Sequence, residues 1–281
     1  MRICLMMDNP ETPRHPIIAV ALQALSARHT VRLLDILTLS GAQASALEAE
    51  NEPADLYLLK SHAPQALELA HALELDGRLV VNSWSSSLAC QDRTRMSEQM
   101  QAAHLPWPAT RTFATLAEAV HDPSLSASSA WPLIIKSRFS HRDDLVGKLH
   151  SKEQMEVLLA DWREEPIVLQ EFIAGDGWDI KLWVIDQHVF AARRRTPLEP
   201  GASKEDFPIS AAELPAVWRN LALEIGHTFK MPLYGVDLLI TEKGPLIVDV
   251  NAFPGFRGVP GASEVLVDLV ERLLRSEETG A

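Results

Sequence analysis

Residues 234–262 form the stretch YGVDLLITEKGPLIVDVNAFPGFRGVPGA, in which two apolar runs flank a turn and lead into a glycine-rich loop. The two runs predict a pair of antiparallel strands, because short apolar segments bounded by turn residues are typical of a hairpin. The turn is predicted at residues 242–244, with Gly244 in the left-handed position that three-residue hairpin loops favour. This register pairs Thr241 with Pro245.

Two carboxylates and one amide interrupt the apolar runs of this hairpin. The predicted register pairs Asp237 with Asp249, and Asn251 lies two residues further along the same face. Directly opposed like charges destabilise a sheet, so a divalent cation between the two carboxylates would remove the repulsion. Oxygen ligands without thiolate or imidazole favour Mg²⁺ or Mn²⁺. A solvent-facing polar stripe on a half-buried sheet is the alternative.

The composition of the chain bounds its class. A length of 281 residues predicts roughly two domains, and a hydrophobic content of 47% is enough for a sizeable core. A net charge of −12 argues against nucleic-acid binding, which needs basic surface, and against general binding to anionic membranes. Cys4 and Cys90 form neither a disulfide framework nor a zinc-binding spacing. No apolar run suits a signal peptide or approaches the ~18 residues of a membrane span, so we expect a cytoplasmic protein.

The first part of the chain alternates strands with helices, which predicts a parallel sheet covered by helices. The predicted strands are Arg2–Met7, Val31–Asp35, Asp55–Lys60 and Arg78–Asn82. The predicted helices are Pro16–Ala27, part of Ser40–Pro53 and Pro64–Asp76. This unit ends near Ser87.

The rest of the chain mixes helices with antiparallel strands. The predicted helices are Asp92–His104, Leu116–Val120, Ser151–Asp161, Ala211–Phe229 and Ser263–Arg275. The strands predicted before the hairpin are Thr110–Phe113, Trp131–Ser137, Pro166–Phe172, Asp179–Asp186 and His188–Arg195, with a loop at Gly201–Pro208. The predicted fold class is therefore α/β, with an α+β C-terminal part.

Two strand ends carry candidate ligand contacts. Lys136 ends the apolar strand PLIIKS, where a lysine is costly unless an anion such as phosphate meets it. The alternative is that this strand simply ends at the surface. The backbone of Gln170–Ile173 precedes two chain-breaking glycines, so it would be free at an edge to hydrogen-bond a planar ring.

Charged residues also lie on the next two predicted strands. Asp179 and Lys181 share one face, as a ligand-binding pair or as a solvated charge pair. Alternation places Arg193 and Arg195 on one face and Arg194 on the other. Three adjacent arginines in a protein of net charge −12 indicate that they meet anions, although surface salt bridges are an alternative.

The loop that follows Asn251 is rich in glycine, which lets a backbone approach a ligand closely. Arg257 within this loop could bind a carboxylate or phosphate through a two-pronged contact. The alternative is a plain turn into the last helix.

The order of these features along the chain resembles the ATP-grasp superfamily. The branch that it resembles contains ribosomal-protein glutamate ligases, lysine-biosynthesis ligases and glutathione synthetases. The segment YGVDLLI…PLIVDVNAFPGFRG is similar to that branch's metal-binding hairpin and substrate loop, and VNSWSSSLACQDRTRMSEQMQAAHLPWPAT is similar to its linker into the ATP-binding region. The resemblance implies a small parallel-sheet pre-ATP-grasp domain at 1–87. It implies an ATP-grasp domain at 88–281, whose α+β subdomains at 88–165 and 166–281 clasp ATP.

The resemblance also implies a role for each candidate residue. The metal ligands would be Asp237, Asp249 and Asn251, holding two Mg²⁺ ions. The nucleotide contacts would be Lys136 at the phosphates, Gln170, Glu171, Phe172 and Ile173 at the adenine, Asp179 near the ribose, Lys181 and Arg93. Arg195 would meet the transferring phosphate, and Arg193 and Arg257 would lie at the substrate.

Three features depart from the family pattern. The family often has lysine where this chain has Arg93. Its glycine-rich phosphate flap would fall within residues 137–149, SRFSHRDDLVGKL, where only Gly147 remains. Ser140, His141 and Arg142 would then cover the phosphates instead. The loop at 197–208 is shorter than the family's usual segment.

The resemblance implies an ATP-dependent carboxylate–amine ligase that works through an acyl phosphate. Its partners would be a small-molecule carboxylate and an amine, with an amino-acid, peptide or protein acceptor and a homodimer left open. A small-molecule kinase, as in the inositol-phosphate branch of the superfamily, is one alternative. It would need a wide basic pocket around residues 193–195 and Arg257. A non-catalytic nucleotide-binding or partner-binding remnant is the other, motivated by the missing flap glycines.

Overall fold

A computed structural model of the chain describes residues 1–39, 53–141, 143–196 and 205–280. The predicted helix and loop before Pro53, the proposed phosphate contact of Arg142 and most of the loop at 197–208 lie outside the described residues. Within the described part, no helix is both long and apolar enough to cross a membrane.

The first sheet is parallel, as predicted, with strand order β2-β1-β3-β4. Its strands are β1 (Arg2–Met7), β2 (Thr30–Asp35), β3 (Leu56–Lys60) and β4 (Val80–Val81). Its helices are α1 (Pro16–Ser26) and α2 (Pro64–Leu75), with single 3₁₀ turns at Thr12–Arg14 and Ile36–Thr38. Buried residues on both faces of the central strand β1 explain its nearly continuous apolar sequence.

The chain then crosses into two short helices. They are α3 (Trp84–Gln91) and α4 (Arg93–Ala102). Ser83 and Asp92 cap these helices, since each side chain accepts a backbone N–H of the first turn. The prediction contained α4 but not α3, whose serine-rich sequence has weak helix propensity. The predicted domain boundary after Ser87 falls within α3, and it stays a prediction.

The second sheet is antiparallel, with strand order β5-β8-β6-β7. Its strands are β5 (Thr110–Phe113), β6 (Leu133–Ser137), β7 (Val146–Leu149) and β8 (Ile167–Glu171). Its helices are α5 (Leu116–Val120), α6 (Lys152–Val157) and α7 (Leu159–Trp162), with 3₁₀ turns at Pro123–Leu125 and Ser128–Ala130. The sequence did not predict β7, because four residues that include a glycine carry little periodicity.

The third sheet is also antiparallel, with strand order β11-β10-β9-β12-β13. Its strands are β9 (Trp178–Ile185), β10 (His188–Arg195), β11 (Asp206–Ile209), β12 (Leu233–Thr241) and β13 (Gly244–Ala252). The helices α8 (Ala216–Phe229) and α9 (Ala262–Gly280) complete this part of the chain. The loop predicted at Gly201–Pro208 was wrong at its end, where β11 pairs with β10. Pro208 fits there because β11 is an edge strand.

The two faces of the third sheet pack against different neighbours. Leu182 and Val236 pack on α8 in one apolar core. Trp183 and Leu233, on the opposite face, share a second core with the first sheet, α1 and α9. Beyond the second core, the face that carries Trp183 and Leu233 continues as a row of charged residues. This row positions the candidate site.

Candidate active site

A cavity of ≈ 320 Å³ lies between the second and third sheets. Nine of the residues predicted to bind nucleotide or metal line it, namely Arg93, Lys136, Gln170, Glu171, Phe172, Ile173, Asp179, Asp237 and Asp249. The cavity lining does not include the other predicted residues, namely Lys181, Asn251, Arg193, Arg195 and Arg257. Lys181 nevertheless contacts the lining residue Asp237.

The hairpin of β12 and β13, which lines this cavity, has a tighter turn than predicted. Thr241 pairs with Gly244, so the connection has two residues, and the predicted pairing with Pro245 is wrong. A β-bulge at Val248 shifts the register by one residue, and Asp237 therefore does pair with Asp249. The predicted juxtaposition of the two carboxylates is confirmed, but it depends on an irregularity that the sequence pattern did not reveal.

The bulge also connects the two sheets. The ammonium Nζ of Lys136, at the end of β6, donates a hydrogen bond of 2.9 Å to the carbonyl oxygen of Val248. Burial lowers the pKa of Lys136, although the charge of Asp249 acts in the opposite direction. A buried ammonium that rests on a neutral carbonyl retains donors for an anion, since an ammonium group has three.

Other charged groups on the third sheet hold one another in place. The Nζ of Lys181 lies 2.8 Å and 3.2 Å from the two carboxylate oxygens of Asp237. Burial opposes the protonated form of Lys181, but this ion pair prevails and raises its pKa. Burial raises the pKa of Asp179, whose Oδ1 accepts a hydrogen bond of 2.6 Å from the hydroxyl of Thr196.

The oxygen donors of the hairpin fit a hard divalent cation. Asp237 and Asp249 are paired, and Asn251 pairs with Gly235 one pleat further along the same face. Asp249 makes no salt bridge to any described residue, and its Oδ1 accepts only the adjacent N–H of Val250. The described residues contain no cluster of three acidic, histidine or cysteine side chains, so the amide of Asn251 is needed for a third ligand. Two carboxylates and an amide match the ligand chemistry of Mg²⁺.

The predicted alternation of the three arginines is confirmed, but the side that faces the cavity is that of Arg194. Arg194 pairs with Asp179 across the strands, so it shares the face of the carboxylates. Its guanidinium forms a two-pronged ion pair with Asp206, with an Nη2–Oδ2 distance of 2.7 Å.

The other two arginines lie on the opposite face of the sheet. Arg193 and Arg195 stack on Trp178, with guanidinium carbons 4.8 Å and 4.0 Å from the centre of its ring. Phe207 meets the same ring edge-on at 5.6 Å. The structure therefore does not bring Arg193 or Arg195 to the carboxylates.

The sequence did not identify Lys148 as a site residue. Lys148 lies on β7 opposite Ile134, and its Nζ lies 3.5 Å from the ring centre of Phe172. Its side chain lines the cavity together with Lys136. The signal that could have revealed it is the alternation of Val146 and Lys148, which place their side chains on one face.

The predicted flap is anchored at its start to the linker helices. Arg138 forms a two-pronged ion pair with Asp92, at 2.9 Å and 2.8 Å. Phe139 forms a β-bridge with the same aspartate. Arg93 donates bonds of 2.7 Å to the Ser137 carbonyl and to Asp144, so the residue that replaces the family's lysine is itself tied to the flap.

Arg257 lies in the loop after β13, on the side of the first sheet. Its charge contributes to lowering the pKa of His15, after burial and the charge of Lys60. Arg257 is therefore close to residues that come from the N-terminal part of the chain, rather than to the cavity.

Comparison with known families matches residues 108–276 to the RimK-like ATP-grasp domain. The protein named "Probable alpha-L-glutamate ligase 2" of Hahella chejuensis is 28% identical over 197 residues, which cover 68% of this chain and 64% of that protein. A "Probable alpha-L-glutamate ligase" of Haemophilus ducreyi is 28% identical over 200 residues, which cover 66% of this chain and 62% of that protein. The chain thus spans slightly less than two thirds of each of these relatives.

Solved structures share the fold. The RimK domain protein ATP-grasp of Sphaerobacter thermophilus superposes with a TM-score of 0.76 at 20% identity, over 96% of this chain and 99% of that one. A D-alanine–D-alanine ligase of Bacillus anthracis complexed with ATP superposes with a TM-score of 0.73 at 17% identity, over 100% of both chains. The arrangement of three sheets is therefore that of ATP-grasp proteins. Because the domain match covers more than half of its length, the chain belongs to the RimK-like ATP-grasp family.

Proposed function

We propose that this protein is an ATP-dependent carboxylate–amine ligase. The observation that carries the proposal is the cavity between two antiparallel sheets, in which lysines from one sheet face paired carboxylates from the other. The names of the curated relatives, which are glutamate ligases, support an amino acid as one substrate. L-glutamate is therefore the first acid to test.

The residues in and beside the cavity divide into three groups by chemistry. Lys136, Lys148 and Arg194 supply positive charge for phosphate groups. The segment Gln170–Ile173 would supply backbone at the end of β8 for the adenine, and Asp179 would contact the ribose. The oxygens of Asp237, Asp249 and Asn251 would hold Mg²⁺, a hard cation that prefers oxygen ligands to sulfur ligands.

The proposed reaction has two steps. An oxygen of the substrate carboxylate takes the terminal phosphoryl group of ATP, and ADP leaves. The free amine of the second substrate then forms the C–N bond, phosphate leaves, and the amine nitrogen loses a proton. Bound Mg²⁺ would neutralise charge on the phosphates during the first step. The lysines and Arg194 would add fixed positive charge around the phosphates.

No observation on the described residues favours the kinase alternative. That alternative needs a wide basic pocket at the arginine strand, whereas Arg193 and Arg195 stack on Trp178 away from the carboxylates. A non-catalytic remnant would not need the bulge that keeps Asp237 and Asp249 paired, so this feature argues against the remnant alternative. We further propose a cytoplasmic location, which suits a chain whose two cysteines, Cys4 and Cys90, are both buried.

Hydroxylamine trapping tests the proposed chemistry. An acyl phosphate is an electrophile, so ATP, Mg²⁺, L-glutamate and hydroxylamine should yield a hydroxamate together with ADP. The same assay run with a pool of amino acids and small carboxylates identifies the acid that is activated. ADP release with a stable phosphate ester and no hydroxamate would instead identify a kinase.

A further inference from the structure

A second cavity, of ≈ 660 Å³, lies at the edge of the third sheet, beside the start of β10. It shares no lining residue with the cavity between the second and third sheets, so it is a separate feature of the described part of the chain. Its volume is in the range of about 300–1,000 Å³ that ligand sites commonly have. What binds there does not depend on the proposed ligase function.

The floor of this cavity is a strand edge without a neighbour. β11 pairs with β10 only between Ala191 and Arg194. β10 begins three residues earlier, at His188, and its first three residues line the cavity and pair with β9 alone. The strands that the structure describes include none on the other side of these residues. Such an edge presents unpaired backbone groups, which are a template for pairing with another chain.

The backbone of Val189 directs its hydrogen-bonding groups to this open edge. Hydrogen-bonded and non-hydrogen-bonded pairs alternate along an antiparallel ladder. Pro208, which pairs with Ala192, has no N–H, so the hydrogen-bonded pair is its neighbour, Ala191 with Ile209. Val189 lies two residues before Ala191, and its N–H and C=O therefore point to the same side, beyond the end of β11.

The tight turn between β9 and β10 gives the same assignment. The turn has two residues, and the pair that closes it, Ile185 with His188, is joined by the hydrogen bond of a β-turn. Alternation then directs the backbone groups of His188 and Phe190 toward β9 and those of Val189 away from it. Val189 makes no backbone hydrogen bond outside the sheet to a described residue. The cavity floor thus offers one free donor and one free acceptor.

The two walls of the cavity differ in chemistry. The loop wall consists of Val259 and Pro260, from the loop after β13, and it lies on the face of the sheet that carries Phe190. The helix wall consists of Leu214 and Arg219, from the start of α8 and the turn before it, and it lies on the opposite face. The loop wall is therefore apolar, whereas the helix wall carries a positive charge.

The guanidinium of Arg219 has no acidic partner among the described residues. Arg219 is exposed and makes no salt bridge to any of them. Glu213 also lines the cavity, but its Oε2 accepts hydrogen bonds of 3.2 Å from the N–H and 2.6 Å from the hydroxyl of Ser210. The donors of the guanidinium are therefore available to an acidic side chain that enters the cavity.

We propose that this cavity is a docking site for an extended peptide, which adds to the open edge of β10 as a strand and in which acidic and apolar residues alternate. The peptide residue opposite Val189 exchanges both backbone hydrogen bonds with it and shares its face, so its acidic side chain meets Arg219 on the helix wall. The residues on either side point to the loop wall, where apolar side chains meet Val259 and Phe190. Main-chain bonds supply affinity and the two walls supply specificity, as in other cases of strand addition.

Fluorescence anisotropy with labelled hexapeptides tests the backbone contact. The probe is a fluorescein-labelled peptide of sequence EVEVEV. N-methylation of its glutamate amides should weaken binding about tenfold or more, because these amides face Val189, and about 1.4 kcal/mol corresponds to tenfold. N-methylation of its valine amides, which face solvent, should leave the affinity within about twofold. Equal affinities of the two methylated peptides, or no binding of EVEVEV at up to 1 mM protein, would overturn the proposal.

Charge reversal tests the helix wall. The ratio of the affinities for EVEVEV and for KVKVKV should fall about tenfold or more in Arg219→Glu, because attraction becomes repulsion for one peptide and the reverse holds for the other. Arg163→Glu reverses an exposed arginine that follows α7 and makes the same change in net charge, so it is the matched control. We expect the ratio of the control to remain near that of the wild type. A ratio that changes equally in both variants would mean that only net charge matters, which would contradict docking at Arg219.

Analytical ultracentrifugation distinguishes a peptide from a second copy of this chain. An open strand edge can also pair with its own copy, as in symmetric dimers. If the wild type sediments as a dimer and Arg219→Glu as a monomer, a second copy occupies the cavity and the peptide proposal is overturned. The same oligomeric state for both proteins, with melting temperatures that agree within a few degrees, supports the proposal and shows that the variant is folded.

Discussion

The two faces of the third sheet are built from the same five strands but differ in every other respect. On one face, Lys181 pairs with Asp237, Arg194 pairs with Asp206, and Asp179 accepts a hydrogen bond from Thr196. On the other face, leucine, valine and isoleucine side chains pack on α8, and the charged Arg193 and Arg195 are confined to the margin.

This difference shows how closely the site depends on strand register. Adjacent residues of a strand point to opposite faces, so a shift of one residue would exchange Arg194 for Arg195 at the cavity. The bulge at Val248 has the same importance for the carboxylate hairpin. Without it, Asp249 would lie on the face of the hairpin opposite to that of Asp237. The charged face is tolerated because its members neutralise one another in pairs and leave few charges to be solvated in the cavity.

The largest effect is expected at Asp249, a carboxylate of the hairpin that makes no salt bridge to a described residue. Asp249→Asn should reduce ADP release by about a thousandfold or more, because a bound metal contributes several kcal/mol to transition-state stabilisation. The free energy of unfolding without ligands should change little, since the amide keeps the shape of the carboxylate. Asp268→Asn, at an exposed position of α9, is the matched control. Normal turnover of a folded Asp249→Asn would exclude the metal assignment.

The arginine strand provides the next test, and it compares the faces directly. Arg194→Ala should reduce kcat by about a hundredfold, the size expected when a preorganised donor is removed from the transition state. Arg195→Ala should leave kcat within a few fold, because its side chain stacks on Trp178. Sequence resemblance implied the opposite order for Arg195. A larger loss in Arg195→Ala than in Arg194→Ala would mean that the face assignment is wrong.

Lys136 should show effects of opposite sign on binding and stability. Lys136→Met should weaken ATP binding by about tenfold to a hundredfold, the cost of one charged hydrogen bond, as measured by calorimetry. Without ligand, the free energy of unfolding of this variant should equal or exceed that of the wild type, because the substitution removes a buried charge.

The pH dependence of stability checks the sign of this effect. Burial lowers the pKa of Lys136 in the folded state, so the unfolded state binds its proton more tightly. The wild type should therefore gain stability relative to Lys136→Met as the pH rises toward the ordinary lysine value near 10.4. A stability difference that is independent of pH would contradict a buried charged lysine.

The smallest effect is expected on the apolar face. Arg193→Gln should lower the free energy of unfolding by about 0.5–1 kcal/mol, through loss of a cation–π contact with Trp178. Urea denaturation measures this change, and KM for the acid substrate should stay the same. A raised KM would restore the substrate contact that the sequence suggested for Arg193.

Much of the fold followed from local patterns in the sequence. Alternation and turn residues predicted the parallel first sheet, the strands β5, β6, β8, β9 and β10, and the hairpin of β12 and β13. They failed at β7 and β11, which are short strands at sheet edges whose pairing depends on distant residues. The register at the turn failed as well, because the choice between a two-residue and a three-residue loop is settled by the bulge at Val248.

The candidate site divides in the same way. The chemical types of its residues, the opposed carboxylates Asp237 and Asp249 and the alternation of the arginines are local properties, since they follow from side-chain identity and the two-residue period of a strand. Which face of the sheet meets the cavity is not a local property, because both faces carry charge in the sequence and the packing of one face on α8 leaves the charged part of the other face to the cavity. The contributions of Lys148 and Arg194 arise likewise from segments that are distant in sequence, and their meeting with the carboxylates depends on how the second and third sheets pack together.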